Sequence, residues 1–93
     1  MGRFSVIILP KADEHLKEYI KSGNKIALKR IARIYEELAE HPEIGIGKPE
    51  RLKHKYAGKW SREIDKKNRM VYEITETEVI VHVHSMKGHY EDH

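Results

Sequence analysis

Four side chains in the second half of the chain have the chemistry that cleaves RNA without a metal. They are Glu50, Lys53, Arg69 and His89, and Tyr90 follows the histidine. Cleavage at a ribose needs a base for the 2′-OH proton, an acid for the departing 5′-oxygen, and cations for the charge that develops on phosphate. Glutamate and histidine can fill the proton roles, and lysine and arginine bind phosphate. Tyrosine can stack on a base.

Each of these residues also has a plain interpretation. Glu50 could be a loop acid paired with a lysine, Lys53 a solvated cation, Arg69 a strand surface residue and Tyr90 a packing residue. Any small basic protein contains such residues. Composition alone therefore leaves both interpretations open.

Four of the seven histidines lie near the carboxyl end, which raises the question of a metal site. His82 and His84 are two residues apart and would share one face of a strand. Zinc needs three or four ligands in tetrahedral geometry, and the chain has no cysteine to help. We therefore favour half-buried strand histidines over a metal site, and we expect no cofactor.

The positive charge is concentrated in the segment from Lys48 to Arg69. Nine lysines and arginines and three acids give this segment a net charge of +6, in a chain whose total is +3. A basic band on an otherwise acidic chain favours a polyanion partner, first of all nucleic acid. A solvated, lysine-rich loop is the alternative.

Length and composition limit the remaining classes. A chain of 93 residues is typical of one domain, which we expect to span residues 1–93. The chain has no apolar run near the roughly 20 residues that a membrane helix needs. The apolar run at the start is interrupted by Pro10 and charges, unlike a secretory signal. We expect a cytoplasmic protein that does not contact a membrane.

The hydrophobic pattern predicts an α+β domain. A strand over residues 3–9 is followed by a helix that ends at Gly23 and by a second helix over residues 25–40. From Lys59 onwards apolar residues alternate, which predicts three strands joined by tight turns. The expected order is β-α-α-β-β-β, a small twisted antiparallel sheet with a two-helix hairpin packed on one face.

Two stretches carry a resemblance to a known family. The segment "GKPERLKHKYAGKWSREIDKKNRMVYEI" and the later "GHYE" resemble the YoeB/Txe toxins of the RelE superfamily. The resemblance implies a fold like that of microbial ribonucleases and a ribosome-dependent mRNA endoribonuclease that uses 2′-OH attack. It also implies partners: a cognate antitoxin of the YefM/Axe kind, the ribosome and mRNA, and a homodimer as a further expectation.

The resemblance assigns roles residue by residue. It implies Glu50 as general base, Arg69 as the cation of the transition state and His89 as general acid. Phosphate or substrate contacts fall on Lys53 and Tyr90, and we add Lys48 and Arg62 from the basic segment. Glu63 stands where family members often carry a second arginine, which weakens one possible phosphate contact.

Two other functions remain open from the sequence. One is a non-enzymatic toxin that binds a protein target, like the ParE branch of the superfamily. The other is an RNA- or DNA-binding regulatory module. The nuclease requires that folding bring Glu50 and His89 to opposite sides of one scissile phosphate.

Overall fold

The computed structural model describes residues 3–88. Its elements are the strand β1 (Ser5–Ile8), the helices α1 (Pro10–Ser22) and α2 (Lys25–Glu40), and then the strands β2 (Glu50–Arg51), β3 (Lys59–Glu63), β4 (Arg69–Thr75) and β5 (Ile80–Ser85). A short 3₁₀ helix (His54–Tyr56) lies between β2 and β3. No helix in this part of the chain is long and apolar enough to cross a membrane.

Local sequence signals set the ends of both helices. Pro10 occupies the first turn of α1, where its missing N–H is not needed. Gly23 ends α1 with φ 70°, a conformation that glycine adopts without steric cost. The Asn24 side chain then accepts a hydrogen bond of 3.1 Å from the Ala27 N–H and caps α2. The helical hairpin follows from these signals.

The sheet has the strand order β1-β5-β4-β3-β2. The predicted three-strand meander is confirmed as β3, β4 and β5, and the α+β class is confirmed as well. The expectation of an antiparallel sheet is wrong at one edge, because β1 pairs with β5 in parallel. No tight turn joins β1 to β5, so their orientation is not forced to alternate. The two-residue strand β2 was not predicted.

The alternation of side chains divides the sheet into two faces. One face packs against the helices and holds the buried Met70, Tyr72, Val81 and Val83, which contact Ile31, Ile34 and Leu38 of α2 in one core. Both α-helices of the described residues pack on this face. We call the other one the open face; it carries Glu50, Lys59, Ser61, Glu63, Arg69, Val71, Glu73, His82 and His84.

Candidate active site

Glu50 and Arg69 meet on the open face although 19 positions separate them in the chain. Glu50 lies in β2, directly opposite Ser61 of β3, and Arg69 begins β4. The Arg69 Nη2 atom is 3.9 Å from the Glu50 Oε1 atom. The short strand β2 therefore has a clear role: its pairing with β3 places the predicted base beside the predicted cation.

Neutral acceptors hold the Arg69 guanidinium in place. Its Nε donates to the Ser61 Oγ at 2.9 Å, and its Nη2 donates to the carbonyl oxygens of Lys48 at 3.3 Å and Ser61 at 3.4 Å. The Arg69 side chain is only 12% exposed, whereas that of Glu50 is 53% exposed. A cation fixed in this way need not reorganise when negative charge develops near it.

The chain beyond β5 returns to this site. The Arg69 N–H donates to the Gly88 carbonyl at 2.9 Å, and the Gly88 N–H donates to the Asn68 Oδ1 at 3.1 Å. Gly88 directly precedes His89 in the sequence. His89 and Tyr90 lie outside the described residues, and their roles stay predictions.

The two predicted phosphate-binding lysines differ in their surroundings. Lys48 is exposed, and its carbonyl oxygen accepts from Arg69. Lys53 is exposed three positions after Glu50, in the loop that Leu52 anchors by donating to the Lys59 carbonyl at 2.9 Å. Within residues 3–88 the Lys53 ammonium has neither an ion pair nor a hydrogen bond. It is a solvated cation near the site.

The prediction that Arg62 contacts phosphate is wrong. Arg62 lies on the helix-facing side of β3 and is 0% exposed. Its Nη1 forms an ion pair of 2.6 Å with the Glu37 Oε1. A phosphate cannot reach this guanidinium. The alternation of Trp60, Arg62 and Ile64 was the available signal, because it puts Arg62 on the apolar face of the strand.

Arg62 instead organises the loop that leads to Glu50. Its Nη2 donates to the carbonyl oxygens of His41 at 3.1 Å and Ile44 at 2.8 Å, and its Nη1 donates to that of Ile46 at 3.3 Å. The Glu37 carboxylate accepts a further hydrogen bond of 2.9 Å from the Ile46 N–H. We call Arg62, Glu37 and residues 41–46 the buried arginine network. Sequence reasoning missed it because Glu37 is remote in the chain.

The electrostatics of Glu37 follow from these contacts. Burial alone raises the pKa of the Glu37 carboxyl, but hydrogen bonds from the Ile46 N–H and from Arg62 outweigh it. The net pKa of Glu37 is below its usual value.

Gly45 passes so close to α2 that a Cβ there would overlap the Glu37 carboxylate. The network thus explains a glycine requirement in a loop that has no catalytic residue.

The histidines of β5 form no metal cluster in the described part of the chain. His82 and His84 are half-buried strand residues, as expected. The His84 Nε2 is 3.0 Å from the Glu73 Oε1. Within residues 3–88 no three of the residue types His, Asp and Glu are grouped so that they could hold a metal ion.

Comparison with known proteins decides the family. A family model described as "YoeB-like toxin of bacterial type II toxin-antitoxin system" matches residues 10–90. This chain is a YoeB-family toxin. It is 40% identical over 75 residues to "Toxin YoeB" of Mycobacterium bovis, covering 81% of this chain and 87% of that protein. With "Toxin YoeB" of Streptomyces coelicolor it shares 38% over 68 residues, 73% of this chain and 80% of that protein.

Solved structures of YoeB toxins have the same fold as this chain. "The structure of YoeB dimer from Staphylococcus aureus" superimposes with a TM-score of 0.81 at 30% identity, covering 96% of this chain and all of that one. The "YoeB-YefM complex from Staphylococcus aureus" gives a TM-score of 0.78 at 31% identity, with the same coverage. The resemblance noted in the sequence and the fold it implied are confirmed.

Glu63 stands where the resemblance in the sequence led us to expect a second arginine. In the sheet it lies directly opposite Arg69 across β3 and β4. Opposite charges in such a cross-strand pair attract weakly. The acid therefore offsets part of the positive charge at the site.

Lys48 provides a test of strain beside the YoeB-family site. Its φ is 50°, in the left-handed region that costs a residue with a Cβ about 1–2 kcal/mol. Lys48→Gly and Lys48→Ala remove the same charge, but only glycine relieves the backbone. Part of this gain is offset because glycine gives the unfolded chain more freedom. We expect Lys48→Gly to be more stable than Lys48→Ala by about 1 kcal/mol in urea unfolding. Equal stability would show that Lys48 is not strained.

Proposed function

We propose that this YoeB-family toxin is an endoribonuclease that cleaves mRNA in the ribosomal A site. The observation that carries the proposal is the Glu50 carboxylate 3.9 Å from an immobilised Arg69 guanidinium on the open face of the sheet. A partly exposed base beside a fixed cation is the pair that phosphodiester cleavage needs.

In the proposed reaction, side chains carry out both proton transfers. Glu50 removes the proton of the 2′-OH, and the 2′-oxygen attacks phosphorus. The bond from phosphorus to the 5′-oxygen breaks, and His89 donates a proton to that oxygen. Arg69 stabilises the charge on the non-bridging oxygens. The products are a 2′,3′-cyclic phosphate and a 5′-hydroxyl end, and no metal takes part.

The other predicted residues have supporting roles. Lys48 and Lys53 attract phosphate, an effect that salt should weaken. Tyr90 stacks on a base or hydrogen-bonds a phosphate. Arg62 is excluded from this set because it is buried.

The proposed partners are a YefM-like antitoxin, a second copy of this chain, and the ribosome with its mRNA. The Staphylococcus aureus YoeB proteins named above were solved as a dimer and as a complex with YefM. The net charge of +6 over residues 48–69 suits ribosomal RNA and would suit an acidic antitoxin segment. We therefore propose a cytoplasmic location, where a ribosome and its mRNA would be available.

The chemistry of the cut ends tests the proposal. In a purified translation system, we expect 5′-hydroxyl and 2′,3′-cyclic phosphate ends at one position in the A-site codon. His89→Gln should reduce the cleavage rate by about 10²–10⁴-fold, because the leaving oxygen loses its acid. His93→Gln is the matched control and should act like the native chain.

Three results would contradict the proposal. Ends carrying a 5′-phosphate would indicate a different chemistry. Inhibited translation with intact mRNA would favour a non-enzymatic toxin. Full cleavage by the His89→Gln protein would remove the assigned acid.

A further inference from the structure

A groove of about 330 Å³ lies next to the candidate active site on the open face. A row of directly paired residues leads from the site to the groove across four strands: Glu50, Ser61, Val71 and Ser85. Neighbouring strands are about 4.8 Å apart, so the Val71 backbone is about 10 Å from that of Glu50. A nucleotide in this groove would therefore be close to a phosphate held at Arg69.

A β-bulge shapes the groove. Tyr72 pairs with Val83, but Val71 pairs with Ser85, which leaves one extra residue in β5. As a result, His84 and Ser85 both line the groove. Met86 then returns to the helix-facing core, where it is fully buried. The bulge therefore adds a polar wall to the groove without interrupting the core.

The lining combines an apolar floor with cations and one aromatic ring. The apolar part consists of Leu9, Pro10 and Val71, and Val71 is only 3% exposed. Two lysines, Lys11 and Lys59, supply positive charge, and Tyr56 supplies the ring. Single-stranded nucleic acid is bound by this combination of stacking rings and a positively charged path for the backbone.

The loop between β2 and β3 connects the groove to the catalytic residues. The 3₁₀ helix that carries Tyr56 is held by the Tyr56 N–H donating to the Lys53 carbonyl at 3.0 Å. Lys53 and Tyr56 therefore sit on one short segment between Glu50 and the groove. A phosphate at Lys53 and a base at Tyr56 are compatible with a single nucleotide.

His84 supplies a hydrogen-bonding group in the wall. Its Nε2 lies 3.0 Å from the Glu73 Oε1, and Glu73 lies opposite His82 on the same face. If the Nε2 carries the proton and donates it to Glu73, the Nδ1 is an acceptor. An acceptor fixed beside an apolar floor can distinguish bases by their edges.

We infer that this groove binds the nucleotide next to the scissile phosphate, with its base on the Tyr56 ring and its phosphate on Lys59 or Lys11. The inference rests on the proposed nuclease function for the choice of ligand. It adds a binding site for single-stranded RNA beyond the catalytic residues, and it assigns the base preference of the toxin to Tyr56 and His84.

Binding is tested first without cleavage. The Glu50→Gln protein is titrated with a single-stranded trideoxynucleotide, which has no 2′-OH, and amide NMR shifts are followed. We expect the largest shifts at Tyr56, Val71 and His84. Tyr56→Leu should weaken binding by about 5- to 100-fold through the loss of stacking. Tyr56→Phe should retain it.

A charge-matched pair separates the groove from general attraction. Lys59→Gln should weaken binding of the trideoxynucleotide more than Lys29→Gln, which removes a lysine from the exposed surface of α2. Unfolding curves identify any variant that fails to fold. Equal affinities for Tyr56→Leu and native, or for the two lysine variants, would overturn the inference.

Cleavage assays separate this inference from the proposed function. In the translation system, Tyr56→Leu and His84→Ala should change the base preferred next to the cut, and Tyr56→Phe should not. If the native toxin cuts RNA but no groove variant alters binding or preference, the groove inference fails alone. If the trideoxynucleotide fills the groove but the native toxin never cuts RNA, the nuclease proposal fails alone.

Discussion

Replacement of Arg62 by methionine is expected to lower the free energy of unfolding by about 3–5 kcal/mol. Methionine fills part of the space, but it leaves the Glu37 carboxylate, only 15% exposed, without its 2.6 Å partner. The carbonyl oxygens of His41 and Ile44 each lose the hydrogen bond from Arg62 as well. Unsatisfied buried polar groups are costly, which is why the loss should exceed that of an ordinary ion pair. Urea unfolding measures it.

Arg33 offers a matched control because it contacts the same carboxylate. Its Nε lies 3.6 Å from the Glu37 Oε2, but its side chain is 67% exposed. Arg33→Met should cost at most about 1 kcal/mol, as exposed ion pairs do. Equal losses for Arg33→Met and Arg62→Met would mean that burial of the Arg62 network contributes nothing to stability.

The same network predicts a dependence of stability on pH. The pKa of Glu37 is lowered by folding, so its contribution is present above the unfolded value of about 4.5 and is lost as pH falls through the folded value. Glu37→Gln should therefore flatten the loss of stability below about pH 4.5. If Glu37→Gln loses stability at acid pH as steeply as the native chain does, the lowered pKa of Glu37 is contradicted. The control Glu36→Gln replaces an exposed acid of α2 and should leave the pH dependence of stability unchanged.

Replacement of Glu50 by glutamine is expected to reduce mRNA cleavage by about 10²–10⁴-fold. Glutamine keeps the size of the side chain and can still lie near Arg69, but it cannot accept the 2′-OH proton. Because Glu50 is 53% exposed, the fold should keep nearly its full stability. Single-turnover cleavage on programmed ribosomes separates this chemical effect from binding.

A second acid gives the control for Glu50. Glu76→Gln removes an exposed carboxylate in the turn between β4 and β5 and should leave the rate unchanged. Cleavage by Glu50→Gln at the native rate would show that another group is the base. A loss of ribosome binding in Glu50→Gln, with native cleavage once bound, would make Glu50 a binding residue.

The elements with strong local signals could be predicted from the sequence. The predicted helix over residues 25–40 is observed as Lys25–Glu40, because an apolar stripe defines its core face and Gly23 and Pro42 limit it on either side. Alternating apolar residues likewise predicted the strand that is observed as β4 (Arg69–Thr75). In both cases the information lies within a few residues of the element.

Features that depend on remote partners could not be predicted. Strand alternation put Arg62 on the apolar face, but it was predicted to contact phosphate because arginine is almost never fully buried unless it is paired. Nothing local indicates that Glu37 is its partner. The parallel direction of β1 is set by packing rather than by a turn. The family resemblance assigned roles to Glu50 and Arg69 separately, and the pairing of β2 with β3 explains physically why they meet.

The parallel pairing of β1 with β5 has a consequence for biosynthesis. Ser5 pairs with Ile80 and Ile8 with Val83. Of the five described strands, the first to be synthesised therefore cannot pair until the last has been made. Until β5 is available, the apolar sides of β1 and β4 have no strand between them, and such incomplete chains aggregate or attract chaperones. Truncated chains that lack β5 should therefore be degraded and should not accumulate as active toxin fragments.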